Sequence, residues 1–461
     1  MSCESAAAIR LGLLVVNAMT IVLVFLLGRR VGGEPTALSS AACFAVLSLG
    51  HPVHGFIANA EHFLLLPVAA GMLCLVRSED EDSNRGVFVG GVLLGIALLI
   101  KHHAYAFVLA GALQVVLATR GGARRRIRRL LLFGAGPALL VAATLTGLYS
   151  VGTFDKFWFW NVSYLGEYGS QLSWSHGAQA LRRTGIPVLR AGWPVYALAL
   201  CGLVAAWRVR AVKRRRPFLL LLAGGSLAAI VPGLYFREHY FLLLLPAAAL
   251  LAGVGVGAIA RLTGTAPRVF VRRGVPALAL VGAIGVCVHA ERAFLFELTP
   301  TEVSRRLYGV NPFPESARIA DWIRLNTDEG ERIAVLGSEP QIPFLSGRRS
   351  ATGFIYMYEM MREHQFAVDM QQEMIREIEE HRPEYLVMVN VWQSWLPRSD
   401  SSRIIFEWYQ RYAGEHYALE GIVDIAWPSG ESQFRMGPRL GTPAPTTAVW
   451  VSLVRRRSDA P

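Results

Sequence analysis

Long apolar runs separated by short polar breaks fill the chain between Leu11 and Val288. There are ten, approximately Leu11–Leu27, Ala37–Leu49, Phe63–Val76, Val87–Ile100, Ala104–Ala118, Leu130–Tyr149, Ala191–Trp207, Phe218–Tyr235, Phe241–Ala260 and Val275–Val288. Since a helix needs about 20 residues to cross a bilayer, the shorter runs either use weakly polar flanks or are broken or re-entrant. The pattern predicts a polytopic α-helical membrane domain with about ten transmembrane helices.

The periodicity changes after Glu291. Amphipathic helices are predicted over Pro314–Asn326 and Val368–Glu380, and strands over Arg332–Gly337, Tyr385–Val389 and Val449–Val454. A strand, a helix and a strand at this spacing indicate a βαβ unit in a small α/β sheet. We therefore divide the chain into a membrane domain, residues 1–290, and a soluble α/β domain, residues 291–461.

The turn Gly337-Ser338-Glu339-Pro340 follows the first predicted strand. It lacks the glycine spacing of a dinucleotide site, which excludes nucleotide binding there. Glu339, Arg348 and Tyr356 either have structural roles or contact a glycan.

Composition agrees with a membrane protein. The 461 residues are 53% hydrophobic and 17% charged, with a mean hydropathy of +0.37, whereas soluble domains carry about 25% charged residues. The formal charge of +12 lies mostly in short loops between apolar runs, so it indicates membrane orientation and excludes a nucleic-acid partner. The five cysteines are scattered singly and give no metal-ligand spacing.

Loop charge alternates along the membrane domain. The basic loops contain Arg29 and Arg30, Arg77 and Arg85, Arg120 with Arg124–Arg129, Arg208–Arg216, and Arg261–Arg273. The loops between them, with fewer positive charges for their length, are His51–His62, Lys101–His103, Gly152–Gly185 and Phe236–Tyr240. Because cytoplasmic loops are enriched in Lys and Arg, the basic set is predicted to be cytoplasmic. Both termini and the soluble domain are then outside.

The predicted outer loops hold a small set of ionisable and polar groups near the apolar runs. They are Glu61 and His62, Lys101 with His102 and His103, and Arg237 with Glu238, His239 and Tyr240; the long loop adds Asn161, Tyr164, Glu167 and Tyr168. Lys101 and Arg237 either snorkel to the interface or bind an anion, and lysine occurs at only three positions in this chain. The histidines are interfacial polar residues or ligands. The aromatic loop is an interfacial belt or a sugar platform. Taken together, these residues predict an anion site for a lipid phosphate at the outer rim.

Three stretches carry a family resemblance. They are Asn59–Leu64 with the glycine-rich run Gly90–Lys101, then Phe157–Asn161 with Tyr164 and Tyr168, and finally Arg237–Leu242 followed by Leu245–Ala247. In this order the stretches resemble the GT-C glycosyltransferases of the protein mannosyltransferase and aminoarabinose transferase type (glycosyltransferase family 39-like). The resemblance implies a GT-C-like membrane domain in a bacterial plasma membrane.

The resemblance also implies an activity. Such enzymes transfer a sugar from a polyprenyl-phosphate donor to a glycan, lipid or protein acceptor of the cell envelope, on the outer face of the membrane. Glu61 would be catalytic beside the reacting centre, with a divalent metal ion as one option. Lys101, Arg237, His239 and Tyr240 would bind the donor phosphate, and His102, His103, Asn161, Tyr164 and Tyr168 would form a substrate loop.

Two further hypotheses compete with the transferase. A transporter or flippase for a lipid-linked saccharide would place ionisable groups near mid-membrane and show internal repeats, and the sequence has neither. A non-catalytic membrane partner stays open because family members carry a catalytic acid in a first outer loop that this sequence does not show. The resemblance and the outside N-terminus lead us to expect that the sequence starts just after that helix and loop.

Overall fold

The structure is a computed structural model that describes residues 6–164, 166, 172–426, 431–437 and 444–458. The chain forms two compact units, one over Ala6–Phe296 and the other from Glu297 onward. The first contains the predicted apolar runs and the second contains the predicted strands. Each unit is described by itself below.

The first unit is entirely helical in its described parts. Its helices are α1 (Ala6–Gly32), α2 (Glu34–Leu47), α3 (Ala60–Glu81), α4 (Asn84–Ile100), α5 (Tyr105–Ala118), α6 (Ala123–Ser150), α7 (Phe154–Trp158), α8 (Trp174–Arg208), α9 (Arg210–Lys213), α10 (Arg216–Ala229), α11 (Leu245–Thr263) and α12 (Val275–Ala290). Short 3₁₀ segments at His51–Val53, His102–Ala104, Pro232–Leu234 and Glu238–Leu244 connect them. Ser83 and Ser173 cap the N-termini of α4 and α8 with their hydroxyl oxygens.

Each of the ten apolar runs is centred on a helix of this unit. Six helical segments are long and apolar enough to cross a membrane: Ala7–Gly32, Ala60–Glu81, Ala123–Ser150, Trp174–Arg208, Glu238–Thr263 and Phe270–Ala290. Four shorter apolar helices are Glu34–Leu47, Asn84–Ile100, His102–Ala118 and Arg216–Ala229. The membrane-domain class is therefore confirmed, and the number of helices that cross the bilayer stays a prediction.

Glycines let two long helices of the unit approach closely. A Cβ added at Gly202 of α8 would lie 1.8 Å from the Leu251 carbonyl oxygen of α11, and one at Gly255 would lie 2.2 Å from the Leu198 carbonyl oxygen. No side chain fits at either position. Small residues at such contacts allow helices to pack in lipid, where apolar burial between helices gives little driving force.

The predicted cytoplasmic loops meet at one end of the unit. Asp80 accepts from Arg215 at 2.5 Å and from Arg30 at 3.3 Å. Asp82 pairs with Arg125, and with Arg129 at 3.3 Å. The acidic stretch 79–82 is thus neutralised by arginines from three other basic loops, so these loops share one side.

The second unit contains a six-stranded sheet with helices. The helices are α13 (Pro300–Tyr308), α14 (Phe313–Leu325), α15 (Gln341–Ser346), α16 (Ala367–His381), α17 (Trp392–Trp395) and α18 (Ile404–His416). The strands are β1 (Arg332–Leu336), β2 (Arg349–Ser350), β3 (Tyr385–Asn390), β4 (Tyr417–Asp424), β5 (Gln433–Met436) and β6 (Trp450–Arg456). A reciprocal capping box between Thr299 and Glu302 starts α13.

The sheet is parallel on one side and antiparallel on the other. Its strand order is β2-β1-β3-β6-β4-β5. Strands β2 and β3 both run parallel to β1, with α16 preceding β3, whereas β6, β4 and β5 pair antiparallel. Strand β3 is central, and five of its six residues are buried. Ile319 and Ile323 of α14 pack in the same core as Ile333 and Val387.

Hydrogen bonds close the carboxyl edge of the parallel strands. The Ser338 amide donates to Ser394 Oγ at 2.8 Å, and Ser338 Oγ accepts from the Met357 amide at 2.9 Å. Ser394 Oγ in turn donates to Glu339 Oε2 at 2.8 Å. Since these residues follow β1, β2 and β3, the network ties three loops together.

Arg348 has a structural role next to this edge. Its guanidinium donates to the carbonyl oxygens of Arg324, in the last turn of α14, and Thr327, just beyond that helix. Such bonds satisfy carbonyl groups that are left free at a helix C-terminus. Tyr356 is about half exposed and stacks on Tyr358.

Glu339 makes stability depend on pH. Burial raises the pKa of its carboxyl group from 4.5 to about 7, although the Ser394 hydrogen bond opposes the shift. The folded state then binds more protons than the unfolded state between these values, so stability falls as pH rises through them, by at most about 3 kcal/mol. We expect the thermal midpoint of the purified chain to fall between pH 5 and 8. Glu339→Gln, which keeps an acceptor oxygen, should flatten this dependence relative to wild type; an unchanged slope would contradict the assignment.

Candidate functional site

Glu61 is the buried centre of the candidate site. It lies in the first turn of α3, where a helix N-terminus favours a carboxylate. Its side chain has no solvent exposure, and its Oε1 accepts from Lys101 Nζ at 2.5 Å. Within the described residues, its other oxygen, Oε2, is buried without a hydrogen-bond partner. One oxygen is therefore paired with a cation and the second is unsatisfied by protein.

Lys101 connects Glu61 to an aromatic face. It is the residue directly after α4, and its extended backbone ends the helix there. The side chain is 25% exposed, and the ammonium lies 4.9 Å from the centre of the Tyr240 ring. A cation over an aromatic ring is attracted by the ring quadrupole. Lys101 is thus held by a carboxylate and a ring while keeping access to solvent.

Two histidines complete the cluster around Tyr240. His239 Nε2 lies 3.9 Å from Glu61 Oε1, and the His239 and Tyr240 ring centres are 4.9 Å apart. On the other side, the His103 ring centre is 4.4 Å from that of Tyr240. His103 Nδ1–H donates to the Ala229 carbonyl oxygen at 2.5 Å, which fixes that ring. We call Glu61, Lys101, His103, His239 and Tyr240 the rim cluster.

Arg237 is adjacent to this cluster and His102 is turned away from it. The Arg237 guanidinium lies over the Tyr235 ring, 5.4 Å from its centre, and Arg237 directly precedes the 3₁₀ segment that contains His239 and Tyr240. His102 is exposed and stacks on Tyr105 at 6.3 Å between ring centres. The structure therefore brings together residues from three predicted outer loops and leaves His102 on the surface.

Two contacts of the aromatic loop are local. Asn161 Nδ2 donates to the Phe157 carbonyl oxygen at 3.0 Å, one turn earlier. The buried Tyr164 ring packs 5.4 Å from Trp160. Tyr168 and Glu167 lie outside the described residues. These contacts join Asn161 and Tyr164 to neighbouring residues of the same loop.

The sequence analysis missed a second group of residues at this end. His54 has a left-handed backbone (φ 56°), and its ring stacks on His239 at 6.3 Å. His51 Nδ1 lies 2.8 Å from Glu291 Oε2, which also accepts from the His51 amide. The latter pair joins the first predicted outer loop to the end of α12. Their only signal in the sequence is that both histidines fall in the same predicted outer loop as Glu61.

The described residues of the site offer more to an anion than to a metal ion. Among the residues that the structure describes, no group of three or more His, Cys, Asp and Glu side chains could hold a metal. The charge of Glu61 is already met by Lys101, and hard cations such as Mg²⁺ require several oxygen ligands. Lys101 and Arg237 instead offer two cations to an anionic group at the rim.

One family model matches the N-terminal part of the chain. Residues 2–149 match the family model described as dolichyl-phosphate-mannose-protein mannosyltransferase, a stretch of less than half the chain that contains Glu61 and Lys101. No curated protein matches the chain in sequence.

Similar solved structures cover nearly the whole chain. ArnT from Cupriavidus metallidurans bound to undecaprenyl phosphate aligns with a TM-score of 0.59 at 15% identity, over 98% of this chain and 85% of ArnT. ArnT in the apo state gives 0.55 at 14% identity, over 96% and 83%. The archaeal oligosaccharyltransferase AglB from Archaeoglobus fulgidus gives 0.48 at 11% identity, over 94% of this chain. The chain spans 61–64% of the length of the archaeal oligosaccharyltransferase chains that it matches.

The helical unit and its rim cluster define an integral membrane protein with a polar site at one end. Its fold is the GT-C fold. In addition, residues 2–149 match the mannosyltransferase family model, so the N-terminal part of the chain is similar in sequence to that family.

Proposed function

We propose that the protein transfers a sugar from a polyprenyl-phosphate donor to a cell-envelope glycan, lipid or protein on the outer face of a bacterial plasma membrane. The observation that carries the proposal is the buried Glu61–Lys101 pair within the segment that matches the mannosyltransferase family. A similar structure, ArnT, was solved with undecaprenyl phosphate, the kind of lipid that such a donor would release.

The charges of the site suit this transfer. As the bond between the sugar and the phosphate oxygen breaks, negative charge builds on the phosphate, and Lys101 and Arg237 can stabilise it. The acceptor oxygen forms the new bond to the sugar carbon and loses its proton to a base. Glu61 is the buried carboxylate nearest to Lys101 and is our candidate for a catalytic role. His239 and Tyr240 position Lys101, while His102, His103, Asn161 and Tyr164 remain candidates for the substrate loop.

The pairing in the structure implies an exchange of partners. Lys101 is held by Glu61 at 2.5 Å, so a phosphate that binds Lys101 must compete with that carboxylate. When the phosphate takes the ammonium, Glu61 loses its counter-ion and becomes a better proton acceptor. Binding of the donor phosphate would thereby activate the carboxylate.

The proposal requires the rim cluster and the soluble unit to be outside. Reporter fusions after Arg126 and Arg214 should report the cytoplasm, because both lie in the basic end of the unit. A fusion after Ser338 should report the outside. A cytoplasmic location for Ser338 would contradict the orientation and the outer-face reaction together.

Transfer itself is tested with purified protein in lipid vesicles. A polyprenyl-phosphate-linked sugar should be consumed in the presence of envelope extract, with release of the polyprenyl phosphate. Mass spectrometry of envelope glycans from cells with and without the gene should show loss of one sugar. Unchanged glycans and no donor consumption would remove the transferase proposal.

A further inference from the structure

A cleft in the soluble unit has the composition of a binding site. Its volume is about 310 Å³, and it lies between the end of α16, the last turns of α18 and the end of β6. Three arginines (Arg382, Arg411 and Arg456) and three rings (Trp408, Tyr412 and His416) line it. The volume is at the low end of the range for small-molecule sites, about 300–1,000 Å³.

The rings form a fixed wall. Trp408, Tyr412 and His416 are four residues apart on α18 and therefore lie on one face of that helix. Trp408 and Tyr412 stack at 4.9 Å, and Tyr412 meets His416 edge-on at 4.7 Å. Trp408 is buried, and its Nε1–H donates to Glu379 Oε1 at 2.7 Å. The wall is thus already ordered without a ligand.

Two of the three arginines of the cleft have no carboxylate partner in the described part of the chain. Glu379 accepts from Trp408, and Glu415 lies 3.8 Å from His416 Nε2. In the parts of the chain that the structure describes, the guanidinium groups of Arg382 and Arg411 make no hydrogen bond or ion pair, although both line the cleft. Arg456 adds a third positive charge there. Arg382 and Arg411, which come from different helices and face one cleft without carboxylate partners, can attract an anion.

Helix capping explains only one of these arginines. Arg382 directly follows α16 with a left-handed backbone (φ 45°), where a cation complements the negative end of the helix dipole. Arg411 lies within α18, and Arg456 lies at the end of a strand. Neither α18 nor β6 needs an arginine at these positions for its own stability, so helix capping does not explain why Arg411 and Arg456 face the same cleft as Arg382.

We propose that this cleft binds a saccharide that carries a phosphate or carboxylate group. Guanidinium groups bind both anions through paired hydrogen bonds. Tyr412 and the two carboxylates can exchange hydrogen bonds with sugar hydroxyls, and the rings provide an apolar wall for the sugar carbons. The site is separate from the rim cluster, and binding here does not require the transferase activity.

The test is calorimetric titration of the full chain in nanodiscs of neutral lipid. Mannose 6-phosphate and glucuronate serve as charged sugars. Mannose, which lacks the charge, and inorganic phosphate, which lacks the sugar, are the comparison ligands. At least one charged sugar should bind more tightly than mannose or phosphate alone. Arg411→Gln and Arg382→Gln should each weaken it by about tenfold, the effect of losing about 1.4 kcal/mol.

Arg376→Gln is the matched control, because Arg376 is an exposed arginine of α16 outside the cleft. It changes net charge equally and should leave affinity unchanged. Equal weakening by Arg376→Gln would show a non-specific charge effect and overturn the proposal, as would no binding of any charged sugar by the wild type. Binding to phosphatidylglycerol vesicles that is lost in Arg411→Gln, without binding of a charged sugar, would assign the cleft to a lipid headgroup instead. Since Glu61→Gln leaves the cleft intact, it should keep sugar binding even if transfer fails.

Discussion

Lys101→Ala is expected to lower the transfer rate by about 100-fold or more. The ammonium is the cation that directly contacts the buried carboxylate of the rim cluster, and it retains 25% exposure to a ligand. Removal of one well-placed group that stabilises transition-state charge costs about 10²–10³ in rate. Single-turnover transfer with a polyprenyl-phosphate-linked sugar, normalised to folded protein, measures the effect.

The same substitution also leaves Glu61 buried without its counter-ion. Removing one partner of a buried pair destabilises a protein by about 3–5 kcal/mol, so the thermal midpoint of Lys101→Ala should fall as well. Lys101→Arg, which keeps the charge, should retain more stability than Lys101→Ala. Lys156→Ala is the control, because Lys156 is exposed on α7. A folded Lys101→Ala protein with the wild-type rate would reduce Lys101 to an interfacial residue.

The elements of the membrane unit could be predicted because each apolar run alone specifies a helix. In lipid, the backbone must satisfy its own hydrogen bonds, so a run such as Leu130–Tyr149 has few alternatives to helix. The ends of several helices differ from the runs because polar turns contribute, as in α8, which begins at Trp174 rather than Ala191. Three strands of the second unit were also predicted, since β1, β3 and β6 are apolar.

The remaining strands lack such a signal. Strand β5 (Gln433–Met436) alternates polar and apolar side chains over four residues, and β2 has two residues. Strand β4 contains Gly421 next to a register shift, which interrupts its pairing with β6. A short or irregular strand is specified by its neighbours in the sheet rather than by its own residues.

The candidate site likewise has a part that the sequence predicts and a part that only the fold determines. Loop charge predicted that Glu61, Lys101 and Arg237 lie at one end of the membrane unit. This prediction was possible because the alternation of basic and less basic loops can be read directly along the chain. The direct contact between Glu61 and Lys101, 40 residues apart, depends on how α3 packs against α4. The His51–Glu291 contact spans 240 residues and has no counterpart in any local pattern. Long-range contacts of this kind require the packed fold.

Glu61→Gln is expected to separate binding from transfer. Glutamine has nearly the same shape but no charge, so Lys101 loses its competitor and becomes free for phosphate. Undecaprenyl phosphate should then bind about tenfold more tightly, as expected from a gain of about 1.4 kcal/mol. Transfer should fall by about 100-fold or more, because the amide cannot accept the acceptor proton.

Titration of nanodisc-embedded protein with undecaprenyl phosphate measures the first effect, and single-turnover transfer measures the second. Glu238→Gln is the matched control, since Glu238 starts the same 3₁₀ segment as His239 and Tyr240 and is not one of the residues of the rim cluster. It should change neither quantity by more than about twofold, which is the effect expected of an exposed or half-exposed charge.

If Glu61→Gln weakens phosphate binding, Glu61 supports Lys101 instead of competing for it, and the proposed exchange of partners is wrong. If it leaves transfer unchanged, the proton must go to another group, and His239, whose Nε2 is 3.9 Å from Glu61, is the next residue to replace.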